Sequence, residues 1–569
     1  MVRFFVRGLA LAMVATGVWE QPLLAQEKNV GCDGAVALKA GRSGPCTQLA
    51  KTIAGLLSAP GVARDHWGIM VTAMDGAPIY SLNEGQLFQP ASNAKLFTTA
   101  ATMALLGPET TFETKVVARG VMDGAAALKG DLVLVGAGDA NLSGREIPYV
   151  APALRPKVEK GAPPAPEVDP LRYLAAMADQ VAATGLKVVN GDVVGDDTLF
   201  PWEPYPQDWS IDDAVWGYGA PVSALTINDN QIKVTVSPGT AAGEPATVVV
   251  DPAVPSYYTL DVSVTTGEKK SGSHVQMERA LGSKMLRVYG SIAVDSQPDE
   301  EEVAIHDPAE YAAMALKGLL EARGIVVTGK ARAVHRISTD AQSFISEVQK
   351  PLPNFDLKVK HGYGFARGMG TFDCFDCDSR KLPVEKVIAN HTSPTLMDDL
   401  TVTNKVSQNL HAELLLHHLA MALGDQERGS VAQGARVVRQ FLLQLGIDKD
   451  DFVFFDGSGL SGHDLVTPRA TARLLQYASM QPLFADWKKS LPVGGEDGSL
   501  VARFGKAPLK DHVFAKTGTL GEARALSGYL ECASGRTVIF SIMVGNHQPG
   551  TSDDREVMDK IVAAIAAAN

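Results

Sequence analysis

The rhythm of hydrophobic and polar positions changes several times along the chain. Trp67 to Ala73 is apolar and alternating, Asp75-Gly76 is a turn signal, and Pro78 to Leu82 resumes the pattern, which predicts a β-hairpin. Gln89-Pro90-Ala91 then leads into Ser92, where a helix rich in Ala, Leu, Met and Thr is predicted to begin and run to about Leu106, stopped by Gly107-Pro108. From about Glu109 short β-type runs take over, such as Lys115 to Ala118 and Asp131 to Val135. Pro148 to Pro170 carries seven prolines and reads as an extended surface loop. Tyr173 to Ala183 has a helical pattern, Lys187 to Val194 reads as a strand, and Gly195-Asp196-Asp197 as the turn that ends it. Val, Thr and Gly dominate from about Ile232 to Val294, which predicts an all-β stretch. Pro308 to Arg323 follows as an amphipathic helix and Ile325 to Val334 as a strand, and residues 338–386 are polar and irregular. Helical patterning returns in pieces from Thr395 to about Leu445 and again near Pro468 to Met480. Strands over Leu526 to Glu531 and Thr537 to Val544 and a helix from about Asp554 to Ala567 close the chain, and no solenoid-type repeat is present. The outline is an α/β unit at both ends with a large β-rich region between them.

Length and composition narrow the class. At 569 residues the chain is too long for one core and predicts about three or four domains. With 46% hydrophobic and 20% charged residues it is globular rather than disordered. A net charge of -12, from 52 basic and 64 acidic residues, argues against a protein that coats nucleic acid. Past the N-terminus no apolar run is long enough for a membrane span.

The N-terminus has its own logic. Arg3 and Arg7 precede an apolar stretch from Gly8 to Val18, and Leu23-Leu24-Ala25 offers a small residue at a cleavage point. That order is a secretory signal over residues 1–25, with an uncleaved anchor the weaker alternative because the apolar core is short. The mature chain is expected to start near Gln26 and to work outside the cytoplasm, in the periplasm or another extracytoplasmic space. Five cysteines are too few for a disulfide scaffold. Cys32 and Cys46 could form a local staple. Cys374 and Cys377 form a C-x-x-C that reads as a local disulfide in preference to a zinc or redox site, since no second ligand pair is visible. Cys532 reads as a buried free thiol.

Three short motifs carry the candidate chemistry. Ser92-Asn93-Ala94-Lys95 is the one S-x-x-K in the chain. At i, i+3 on a helix the two side chains share a face, so an unprotonated lysine amine could take the serine proton, and the helix N-terminus offers N–H groups to an oxyanion. Taken alone, the same pair would more often be an N-cap serine and a surface lysine. S-x-N occurs twice; Ser81-Leu82-Asn83 sits at a strand end and reads as turn chemistry, whereas Ser407-Gln408-Asn409 lies between two helical stretches, where a hydroxyl and an amide could face a cleft. Lys516-Thr517-Gly518, extended by Thr519, reads as a strand bordering that cleft. Lys516 would offer positive charge to a carboxylate, Thr517 and Thr519 hydroxyls, Gly518 room for close approach of a substrate, and the Thr519 N–H a second oxyanion donor. Each motif alone has an ordinary reading as a cap or a strand end. In this order and these contexts, the three together form the signature of serine β-lactamases and penicillin-binding proteins.

The resemblance extends over most of the mature chain. Pro90-Ala-Ser-Asn-Ala-Lys-Leu96, Gly130-Asp-Leu-Val-Leu-Val-Gly136 with Gly138-Asp139 and Leu142, and Val189-Asn-Gly-Asp-Val-Val-Gly-Asp196 carry its first half. Tyr218-Gly-Ala-Pro-Val-Ser-Ala-Leu225 with Asn228 and Asn230, Asn404-Lys-Val-Ser-Gln-Asn-Leu-His-Ala-Glu413, Asp456-Gly-Ser-Gly-Leu-Ser461 and Ala515-Lys-Thr-Gly-Thr-Leu520 carry its second. On these blocks the sequence resembles the D-alanyl-D-alanine carboxypeptidase/endopeptidase family, the low-molecular-mass class C penicillin-binding proteins. The resemblance implies an α/β serine acyl-enzyme fold of the β-lactamase/transpeptidase type. A five-stranded antiparallel sheet would be flanked by helices and face an all-helical lobe, with β-rich inserted domains. Residues 26–108 and 387–569 would form the catalytic domain. Residues 109–386 would be the insertion, read as two domains (109–228 with 296–337, and 229–295) plus the irregular stretch 338–386. It further implies Ser92 as the acylated nucleophile, Lys95 as its base, Ser407 and Asn409 as relay and positioning groups, and Lys516, Thr517, Gly518 and Thr519 as the carboxylate and oxyanion side. No cofactor or metal is implied. The partners would be peptidoglycan stem peptides and, as covalent inhibitors, β-lactams, with peripheral association to wall or membrane left open and no nucleic acid. Gln408 departs from the pattern, since Asp is frequent there.

Two alternatives keep the fold and change the function: a β-lactamase, which would need an added deacylation base, and a non-catalytic wall-binding or β-lactam-sensing module. An α/β-hydrolase would show G-x-S-x-G and a zinc peptidase H-E-x-x-H, and neither occurs.

Overall fold

The computed structural model describes residues 47–569 apart from 125, 156–167, 339–341, 363–384 and 426–427. The signal segment, Cys32, Cys46, Cys374 and Cys377 lie outside the described residues, as does part of the proline-rich stretch. Cys532 is a buried free thiol, as read from the sequence.

Five antiparallel strands form the central sheet, in the order Val513–Thr519, Ala523–Glu531, Thr537–Gly545, His66–Ala73, Pro78–Leu82. Thr537–Gly545 is nearly all apolar because both of its faces are covered. Val538, Phe540, Ile542 and Val544 pack toward the helices Gln48–Leu57 and Asp553–Ala568, and Ile539 and Met543 toward the helical lobe. The last helix places Val557, Met558, Ile561, Val562 and Ile565 on its buried stripe, and Asp553, Asp554 and Glu556 suit the positive end of its dipole. The lobe gathers Ala94–Leu105, Leu396–Lys405, Asn409–Leu423, Val431–Gln444 and Pro468–Ser479 around one core. Two of these, Ala94–Leu105 and Asn409–Leu423, are buried almost all round, so they are central helices and not amphipathic covers.

The region between is built on a seven-stranded mixed sheet. The two helices Arg172–Ala183 and Pro308–Ala322 pack on it, and two three-stranded sheets, one of them centred on Gln231–Ser237, complete the region. One cluster of buried side chains runs through all three sheets. Strand Glu385–Thr392 pairs with Glu113–Asp123, so the returning chain joins this sheet before it re-enters the helical lobe.

Three local expectations are corrected. The strand expected over Lys187 to Val194 is two strands, Val188–Asn190 and Val193–Pro201, broken at Gly191-Asp192. Gly195-Asp196-Asp197 is the middle of the second strand, not a turn, because that strand pairs on both sides, with Ala127–Val135 and Ala331–Arg336. Gly195 is there for contact: a Cβ at this position would lie 2.0 Å from the Ala309 carbonyl oxygen of the covering helix. Likewise Ile325 to Val334 divides into Val326–Val327 and Ala331–Arg336, each with a different partner strand. Gly195→Ala should therefore push helix Pro308–Ala322 off the sheet. The expected result is a lower thermal midpoint, with a cost on the order of 1–3 kcal/mol for overpacking; an unchanged midpoint would refute the contact.

Candidate active site

The turn that carries Ser92 is a short 3-10 segment, Ala91–Asn93, leading into helix Ala94–Leu105. The predicted helix therefore begins two residues after Ser92. Ala91 has φ +45°, a left-handed conformation that costs a non-glycine residue free energy and must be held by its surroundings. Two glycines allow the holding contacts. A Cβ on Gly459, itself at φ +81°, would sit 1.9 Å from the Ala91 carbonyl oxygen, and one on Gly518 would sit 2.4 Å from that of Pro90. Asn93, fully buried, donates from Nδ2 to the Lys516 carbonyl at 3.0 Å. The close approach expected at Gly518 is thus made by the protein's own Ser92 turn.

All three motifs meet. Lys95 Nζ lies 2.8 Å from Ser92 Oγ, 2.6 Å from Asn409 Oδ1 and 2.7 Å from the Ser458 carbonyl oxygen. Lys516 Nζ lies 2.8 Å from Ser407 Oγ and 3.0 Å from the Thr517 carbonyl oxygen. Thr517 Oγ1 is 2.7 Å from Ser499 Oγ, and Asn409 Nδ2 donates to the Tyr218 carbonyl at 2.8 Å. Ser92, Ser407, Asn409 and Thr517 are partly exposed and Thr519 is exposed, whereas both lysines have no exposed surface, so hydroxyls and amides line the opening above two buried amines.

Burial sets the charge of the lysines. It lowers Lys95 to about 7 against the opposing pull of Asp456, Glu413 and Asp464. Lys516 is lowered well below its ordinary value, first by burial and then by the charge of Lys95, with no carboxylate among the described residues to oppose them. In the free protein its amine therefore serves Ser407, and the cation expected from the sequence is disfavoured.

The sequence reading missed the floor of the site. Glu413, one turn beyond Asn409, accepts from the Ser458 N–H at 2.8 Å and the Gly457 N–H at 3.1 Å, and burial followed by the Asp456 charge raises it to about 8. Asp456 accepts from the N–H groups of Gly459 at 2.6 Å and Ser461 at 2.8 Å and from Trp209 Nε1 at 2.8 Å. Together they fix the loop whose Ser458 carbonyl receives Lys95. The available signal was a glutamate at the head of the mainly apolar run Leu414 to Leu423, on the same helix face as Asn409. Tyr218 and Trp209 come from the inserted region, and no spacing rule reaches across so many residues.

A serine-to-amine contact beside an amide, a second serine–lysine pair and a strand edge is the arrangement that serine acyl transfer on a penicillin-binding-protein fold requires. The comparisons agree. A model of the D-Ala-D-Ala carboxypeptidase 3 (S13) family matches residues 49–358 and 379–568, and the chain belongs to that family. It is 31% identical over 515 residues to a D-alanyl-D-alanine carboxypeptidase of an Actinomadura species, covering 88% of this chain and 81% of that one. It is 23% identical over 483 residues to the D-alanyl-D-alanine carboxypeptidase DacB of Haemophilus influenzae, covering 84% of each. The crystal structure of penicillin binding protein 4 from Haemophilus influenzae superposes with a TM-score of 0.68 at 21% identity, over 91% of this chain and 98% of that one, and shares its fold.

Gly459→Ala tests the packing of the Ser92 turn. Added strain at positive φ and the contact with Ala91 should destabilise the protein by more than about 1 kcal/mol. The expected readout is a lower thermal midpoint together with slower acylation of Ser92 by a penicillin.

Proposed function

We propose that this protein is an exported serine D-Ala-D-Ala carboxypeptidase that cleaves peptidoglycan stem peptides through an acyl-enzyme on Ser92. The observation that carries the proposal is the buried Lys95 amine in contact with both Ser92 Oγ and Asn409 Oδ1. At neutral pH a substantial fraction of that amine is unprotonated, so it can take the Ser92 proton as Oγ attacks the carbonyl of the penultimate D-Ala. The Ser92 and Thr519 N–H groups receive the oxyanion. Lys516, through Ser407, is placed to hand a proton to the leaving D-Ala nitrogen. The terminal carboxylate of the substrate lies toward Lys516, Thr517 and Thr519, where its charge would restore the cationic form of Lys516. Once the Ser92 proton held by Lys95 has replaced the one Lys516 gave up, Lys95 is again a free amine and serves as base for the water that releases the shortened peptide.

A D-alanyl cross-link presents the same carbonyl with a different leaving amine, so endopeptidase activity falls within this mechanism. β-Lactams would acylate Ser92 as mimics of the D-Ala-D-Ala terminus. A solved relative, penicillin binding protein 4 of Haemophilus influenzae, is described in complex with a β-lactam. The charged, apolar and small-residue order of the first 25 residues supports export to the periplasm or another extracytoplasmic space, where such substrates lie. No helix among the described residues is long and apolar enough to cross a membrane.

Intact mass after incubation with a penicillin should show a single stable adduct on the wild type and none on Ser92→Ala. Rapid loss of the antibiotic without an adduct would indicate a β-lactamase, and neither adduct nor loss a binding module. The acylation rate should rise with pH through about 7 and then level off, because the reactive form of Lys95 is the deprotonated one. A flat profile would remove Lys95 from the role of base.

A further inference from the structure

Behind the Ser407–Asn409 turn lies a buried ionic assembly that the mechanism above does not use. Its centre is Asp229, in a segment of the inserted region where Asn228, Asp229 and Asn230 have φ of 48°, 55° and 55°. Three consecutive left-handed residues without a glycine are unfavourable, and side-chain bonds hold them. The Ile227 N–H donates to Asn230 Oδ1 at 2.9 Å, Asn230 Nδ2 to the Pro221 carbonyl at 2.8 Å and Asn228 Nδ2 to the Gln231 carbonyl at 2.9 Å. This conformation sends Asp229, 3% exposed, out of the inserted region into the helical lobe.

At that boundary the carboxylate meets three partners, one from the inserted region and two from the helical lobe. It pairs with Arg145, accepts from Gln408 Nε2 at 3.2 Å, and lies 3.2 Å from His411 Nε2. The other ring nitrogen of His411 is 2.5 Å from Asp399 Oδ1. Burial opposes a cation at His411, but Asp399 and Asp229 outweigh it and raise the ring to about 9, so the bridge is charged at neutral pH. Burial likewise pushes Asp229 up, and Arg145 with His411 brings it well below the usual carboxylate range.

Gln408 links this assembly to the site. Its Oε1 accepts from the Leu410 N–H at 3.0 Å while its Nε2 reaches Asp229. Its main chain carries Ser407, at φ +65°, on one side and Asn409 on the other. Their side chains hold Lys516 and Lys95 respectively. A shift of this turn would move both contacts at once.

We infer that Asp229 is a positioning residue for the Ser407–Asn409 turn, acting through Gln408 and His411, so that the inserted region completes the active site. The inference rests on the reading of Ser92 and Lys95 given above. It also accounts for glutamine in the middle of this S-x-N: a carboxylate of the same length would face Asp229 across a buried contact.

The test is an exchanged pair, using single-turnover acylation by a penicillin on the mature protein below the lowest thermal midpoint of the set. Gln408→Glu sets two carboxylates together, and Asp229→Asn removes the acceptor. Each should lower the acylation rate at saturation on the order of 10- to 100-fold, the scale expected when reacting groups are misplaced by about 1 Å. The half-saturating concentration should change much less. The double variant restores one donor facing one carboxylate and should recover most of the loss caused by Gln408→Glu. Single variants that acylate at the wild-type rate would overturn the inference, and so would a double variant no faster than the product of the two single losses. A wild type that is itself not acylated would overturn the Ser92 reading, which separates the two failures.

Discussion

The arrangement depends on one buried amine. Lys95 has no exposed surface and is held by three oxygens from three separate stretches of chain, those of Ser92, Asn409 and Ser458. A buried lysine is costly to keep charged, and that cost is the source of its chemistry, because the same desolvation brings its basicity near neutral. The three carboxylates below it, Glu413, Asp456 and Asp464, keep the shift from going further. They in turn are buried, and Glu413 and Asp464 are raised by burial and then by the charge of Asp456, which disfavours a full charge on either. Much of the surrounding fold serves this balance: the tight glycine contacts at Gly459 and Gly518 keep Ser92 over the amine, and the all-round burial of helices Ala94–Leu105 and Asn409–Leu423 keeps water from its stem.

The inserted region takes part in that balance. Trp209 donates to Asp456, the Tyr218 carbonyl receives Asn409, and Asp229 reaches Gln408. Each contact falls on a group already touching, or one bond from, the residues that hold Lys95. An insertion tethered only at its ends would be free to move as a body; these contacts couple it to the cleft.

Fold and site were legible in the sequence to different depths. Individual strands of the central sheet were readable from a hairpin signal at Asp75-Gly76 and from two apolar runs near the C-terminus, since local patterning survives where a strand has cover on both faces, whereas their assembly into one five-stranded sheet was implied by the family resemblance. Turn chemistry misled at Gly195-Asp196-Asp197, where a glycine serves helix contact and two acids are buried by pairing that sequence patterning does not display. Ser92, Lys95, Ser407, Asn409, Lys516 and Thr517 were found because each motif is short and its members are adjacent, and the structure brings them together. Asp229, Tyr218 and Asp456 were not assigned roles, because their function exists only through contacts between distant segments. His411 and Glu413 carried a faint signal as ionisable residues in an apolar helix, where burial without a partner would be prohibitive.

The two lysines show why identical side chains can be given different work. Both are fully buried and both lose basicity by it, yet Lys95 sits above carboxylates and, among the described residues, none offsets the burial of Lys516. The charge of Lys95 also lowers Lys516, so the two ammonium forms oppose each other across the cleft. In the free protein the proton is therefore better kept on the Lys95 side, where acids neutralise it. An anion bound near Lys516 reverses that preference: it favours a cation at Lys516, whose charge then disfavours one at Lys95. The carboxylate terminus of a peptide would thus shift the deprotonated amine toward Ser92 when there is something to attack. In the proposed mechanism, substrate recognition and activation of the nucleophile would then be one electrostatic event, set by where the fold places acids.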